Sequence, residues 1–168
     1  MIKRLLLAAI AATATLLPAG AEVQPGTFEL VETIESNGVL VTVNHPDCVG
    51  SGTYGSYRWM GMKREMRLCP GDVIDPIDHN TVRHEAIHAV QHCVNVARGT
   101  STDTPVTQDV TELMEWARLH LTDDQIEWIQ RSYDKSQWLT EIEAFAGAEA
   151  FTAAEIQEMF LDACTVRV

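Results

Sequence analysis

The hydrophobic pattern of this chain changes period once, near Asn80, and that change limits the possible folds more than any other feature. Before it, Phe28–Ile34 and Val39–Val43 are rich in β-branched residues and flank Glu35-Ser36-Asn37-Gly38. Asn-Gly tolerates positive φ at both residues, so this stretch predicts a β-hairpin. Tyr54–Met60 and Arg64–Cys69, with a turn near Gly61, predict a second one, and Pro70–His79 reads as a loop. From Asn80 or Thr81 to about Ala97 the spacing becomes helical, with Val82, Ala86, Ala89, Val90, Cys93 and Ala97 on one stripe. A polar loop over Arg98–Thr107 precedes helices expected near 108–121, 123–133, 137–150 and 153–163. Thr122-x-x-Gln125 and Thr152-x-x-Glu155 are capping-box patterns. Strands first and helices after predict an α+β fold with a small N-terminal antiparallel sheet.

Length sets the domain count. The chain has 168 residues, and its first 21 read as a secretory leader. Lys3 and Arg4 precede an uncharged apolar run of 13 residues, Leu5–Leu17, then Pro18 and Ala19-Gly20-Ala21. The run is shorter than the roughly 20 residues of a spanning helix, so no stable membrane anchor is expected. Cleavage would leave Glu22–Val168 as one exported domain, secreted or periplasmic, and would move the net charge from −12 to −14 by removing Lys3 and Arg4. Such acidity excludes nucleic acid as a partner, because phosphate binding needs a basic face. Export also bears on Cys48, Cys69, Cys93 and Cys164. An even number in an oxidising compartment predicts two disulfides. Cys48–Cys69 would bracket the strand-rich stretch, and Cys93–Cys164 would tie the Asn80 helix to the C-terminus.

His84-Glu85-Ala86-Ile87-His88 carries the chemistry. On a helix, i and i+4 lie about 40° apart, so both imidazoles project side by side and can bind one Zn²⁺. Glu85 is about 100° further round, where its carboxylate can reach a metal-activated water. Random order would produce this pattern about 0.02 times in such a chain, so chance is a poor explanation.

The segment Val82–Gln91 resembles the active-site helix of the zincin metallopeptidases, in which the two His bind zinc and the Glu is general base and acid. The metzincin extension is missing, since Gln91 stands in place of its Gly, and His92 stands where an aspartate-ligand variant would have Asp. The resemblance therefore points to gluzincins, whose third ligand is a Glu on a later helix. Trp138-Leu139-Thr140-Glu141 is similar to that segment and selects Glu141. Glu141 shares a helix face with Trp138, Ala144, Phe145 and Ala148, and a buried carboxylate needs a partner such as a metal. Glu143, on a face with Leu139, Ala146 and Ala150, is the rival. The resemblance also implies that a strand before the motif helix edges the cleft, matched here by Arg64–Cys69.

Further residues carry expectations of their own. Asp75, Asp78 and Glu143 are candidate acceptors for the second N–H of a metal-bound His. Tyr133, Tyr54, Tyr57 and His120 are candidate oxyanion donors. Gln91 could hydrogen-bond near the site, although a Gln on a helix usually needs no such role, His92 is expected at the surface, and Trp116, Trp128 and Trp138 are expected to pack. Together these predict a monomeric, secreted zinc metallopeptidase acting on a peptide or protein substrate, with His84, His88 and Glu141 as ligands and Glu85 as base. The alternatives are a zinc-containing binding module without turnover, or a zinc hydrolase acting on cell-wall or non-peptide substrates.

Overall fold

A computed structural model describes residues 26–49, 53–61, 63–69, 76–100 and 104–165. The leader expected over 1–21 lies outside them. The chain opens with helix α1 (Thr27–Ser36), not the expected strand. Alternation would put Glu32 in the same row as Phe28, Leu30 and Ile34. The helical period instead brings Thr27, Leu30 and Ile34 together, and these are its buried residues. Of the pair, Gly38 does adopt positive φ, but at a helix end, whereas Asn37 has φ −99°. Asn37 is the C-cap, and Gly38, with φ 81°, donates its N–H to Glu35 O at 2.9 Å.

With no hairpin at Gly38, β1 (Val39–Val43) has no antiparallel neighbour. It pairs in parallel with β3 (Lys63–Leu68), from Val39↔Arg64 to Val43↔Leu68. β2 (Gly55–Met60) pairs antiparallel with β3, as the second hairpin predicted. The sheet is mixed, in the order β1-β3-β2, which corrects the expectation of a purely antiparallel one. β3 is central. It turns Met66 and Leu68 into the core, while Arg67 on the other face is ion-paired with Glu65 and Asp47.

Helix α2 (Pro76–Ala97) starts earlier than expected, with Pro at its first position, where no N–H is needed. It is followed by α3 (Val110–Ala117), α4 (Asp123–Ser132), α5 (Trp138–Ala150) and α6 (Ala153–Cys164). Both capping boxes form, at Thr122/Gln125 and Thr152/Glu155. The class is α+β, with the sheet ahead of five of the six helices among the described residues. None of those helices is long and apolar enough to cross a membrane.

Two apolar clusters hold these parts together. One joins α1, the sheet, α2 and α6 through residues such as Leu30, Met66, Val82 and Phe160. The other joins α3, α4 and α5 through Ala117, Leu121, Ile126, Ile129, Ile142 and Ala146. Helices α2 and α5 meet between the clusters, and small residues permit a close approach. A Cβ on Gly147 would lie 3.1 Å from the Ile87 side chain. The expected disulfides are both present. Cys48–Cys69 joins the turn after β1 to the end of β3, and Cys93–Cys164 ties α2 to α6.

Candidate metal centre

Helix α2 is packed on several sides, by α5, α6, β2 and β3 among others. Its polar residues are therefore buried too: His84 is 6% exposed, Glu85 4% and Gln91 0%. Buried polar groups need partners. The turn-to-turn spacing of α2 sets His84 and His88 side by side, with their Nε2 atoms 3.1 Å apart. Helix α5 brings Glu141 to face them. Its Oε2 lies 3.3 Å from His84 Nε2 and 3.5 Å from His88 Nε2. Phe145, one turn along α5, packs on the His84 ring with centroids 4.2 Å apart.

These three side chains can hold a metal ion. Nitrogen and oxygen ligands in a tetrahedral set at roughly 2.0–2.1 Å lie about 3.3 Å from one another, which is the spacing found here. The donor set fits a cation in a second way. Glu141 Oε2 is buried, and its near neighbours are the two imidazole nitrogens of the same group, so a cation shared by all three would satisfy it.

The charges are strongly coupled. Burial lowers His84 to about 4. Burial also opposes charge on His88, but Glu141, Glu85 and Gln91 outweigh it and raise that imidazole to about 9. Glu141 is held at about 2, because the two imidazoles overcome the effect of burial. Glu85 is pushed up to about 7 by burial, against the pull of His88 and of the Tyr57 backbone N–H that donates to it. Its Oε2 has no hydrogen-bond partner among the described residues.

The group lies in a cavity of about 260 Å³, walled by β2 through Gly55, Ser56 and Tyr57 and by Tyr133, Gln137 and Thr140 on the α5 side. The strand at the cleft is thus β2, an edge strand, and not the Arg64–Cys69 segment, which forms the centre of the sheet. Gly55 is a site residue that sequence reasoning missed. A Cβ there would sit 2.6 Å from Thr81 Cγ2 and 2.8 Å from Glu85 Oε1, so only glycine lets β2 lie this close to α2. Its signal was a glycine heading a strand, which marks close backbone approach.

The remaining expectations separate cleanly. Glu143 is buried but lies outside the metal group. It accepts from Val106 N at 2.6 Å, Thr107 N at 2.9 Å and Gln91 Nε2 at 2.9 Å. Gln91 Oε1 lies 2.7 Å from His88 Nδ1. Of the candidate oxyanion donors, Tyr133 and Tyr57 line the cavity; Tyr54 lines a different one, and His120 packs on Trp116. Burial and the nearby carboxylates Glu141 and Glu85 hold the Tyr133 hydroxyl firmly protonated. His92 is not at the surface; it is buried against Trp59 and Tyr57, at centroid distances of 5.0 and 5.9 Å. Trp116 stacks on Phe151, Trp138 donates to Tyr133 O, and Trp128, half exposed, packs on Phe145. Asp75 and the Asp78 side chain lie outside what is described. Comparison with known protein families, curated proteins and solved structures finds no match to this chain.

Proposed function

We propose that this protein is an exported, monomeric zinc metallopeptidase. One observation carries the reading: His84, His88 and Glu141 converge at ligand spacing, with Glu85 beside them in the same open cavity. Two imidazoles and one carboxylate are the donor set of catalytic zinc sites, which keep a fourth position for water or substrate. Bound there, zinc would polarise a carbonyl and acidify a water molecule. Glu85, with one carboxylate oxygen unpartnered among the described residues, accepts the proton of the attacking water and returns it to the departing amine. Tyr133, protonated and in the cavity wall, is the donor for the developing oxyanion. β2 is the edge strand of the described sheet and lines the cavity, the position at which an extended peptide can add as a further strand. The two disulfides support an oxidising compartment, exterior or periplasmic.

Zinc content and cleavage of a denatured protein, measured for the wild type and Glu85→Gln, test this. The expected result is about one zinc per chain in both, with cleavage only in the wild type. Zinc without cleavage in either would favour a binding module or a non-peptide substrate. A wild type that takes up no zinc overturns the reading.

A further inference from the structure

Four residues beyond the metal group form a buried chain of hydrogen bonds whose direction can be worked out from its far end. The Val106 and Thr107 backbone N–H groups can only donate, and both point at Glu143, at 2.6 and 2.9 Å. Glu143 is therefore an acceptor on both oxygens, which makes the Gln91 atom 2.9 Å from its Oε2 the NH₂ end. The same nitrogen donates to Thr140 O at 3.0 Å, a second group that can only accept. Gln91 accordingly turns its oxygen to His88 Nδ1, 2.7 Å away, and an oxygen there requires Nδ1 to carry the proton. The neutral imidazole is then left with its lone pair on Nε2, the atom facing His84 and Glu141.

We propose that Gln91 and Glu143 are positioning residues for the metal centre. Anchored by the 106–107 backbone, they set the tautomer and ring orientation of His88. The inference rests on the zinc reading above and adds the part that the three ligands leave open. His84 shows the contrast: its own Nδ1 is buried with no partner among the described residues, so the orienting bond is made at His88 alone. The solvent exclusion is also specific. Gln91 is 0% exposed and Glu143 6%, so water does not substitute for either group.

The test uses the purified wild-type protein and the variants Gln91→Met, Glu143→Gln and Glu149→Gln. Gln91→Met keeps the length of the side chain and removes both polar ends. Glu143→Gln puts an NH₂ group where only acceptors fit. Glu149, exposed on the same helix, is the control. Zinc affinity, read by competition with a chromophoric chelator, should fall roughly 10–100-fold in the first two and stay unchanged in Glu149→Gln. Nitrogen-15 NMR of the zinc-loaded wild type should show His88 with a slowly exchanging Nδ1–H and a ligating Nε2. That measurement decides the matter even if a variant fails to fold. His88 ligating through Nδ1, or wild-type affinity in a folded Gln91→Met protein, overturns the inference and leaves the zinc reading standing. A wild type without zinc overturns both.

Discussion

At the residue scale, His84, Glu85, His88 and Glu141 pack together with opposing charge preferences, and three of them could hold a cation. Metal-free His88 is raised to about 9, so it carries a proton at neutral pH, whereas a ligand must be neutral. Its proton competes with the metal at every pH below that value. Zinc affinity should therefore rise about tenfold per pH unit up to about pH 9, with a proton released on binding. Titration calorimetry in buffers of different ionisation enthalpy reads both quantities, and a flat profile over that range would contradict the assignment. Gly55 gives a prediction of another kind. Its missing Cβ is space that Glu85 and Thr81 occupy. Gly55→Ala should cost about 1–3 kcal/mol in stability by overpacking, and should lower activity more than surface substitutions do. Denaturant melts and turnover, measured together, check it.

At the scale of elements, the helix-cap signals were legible because each lies within one turn. The capping boxes at Thr122 and Thr152 needed only residues three apart, and both form. Thr152→Ala should cost about 1 kcal/mol, visible as a lower urea midpoint with an unchanged slope. A strand is expected where helix α1 forms because Val31, Thr33 and Ile34 favour strands and Asn37-Gly38 suits a hairpin as well as a helix end. The two periods make opposite statements about neighbours in sequence. The helix buries Leu30 completely and leaves Phe28 57% exposed. Leu30→Ala should thus cost about 2–5 kcal/mol, and Phe28→Ala no more than about 0.5 kcal/mol. Equal costs would restore the strand, in which both face the same way.

For the molecule as a whole, the cross-links close loops of different length. Cys93–Cys164 spans 71 residues and Cys48–Cys69 spans 21. Loop-closure entropy gives about 4 kcal/mol for the first and about 3 kcal/mol for the second. Replacing the Cys93–Cys164 pair by alanine should therefore destabilise more, and calorimetric melting of the two double variants would show the order. The longer bridge also ties the site-bearing α2 to α6. The features legible in the sequence were those fixed by local spacing in α2 and at the helix caps, together with the cysteine count. The pairing of His84 with His88 follows from 3.6 residues per turn, as do the caps, and the cysteine count implied two bridges. The resemblance favoured Glu141 over its rival Glu143, and the tertiary structure sets Glu141 beside the two imidazoles. Residues two apart on a helix point about 200° from each other, so only one can face the two imidazoles. Both positions are flanked by apolar residues and both are buried, which is why the flanking pattern left the choice open. Packing of α5 between the two cores aims Glu141 at the imidazoles and Glu143 at the 106–107 backbone. Strand order was likewise beyond local reading. The parallel pairing of β1 with β3 puts β2, and not β3, at the cleft, and parallel pairing is settled by contacts far apart in the chain.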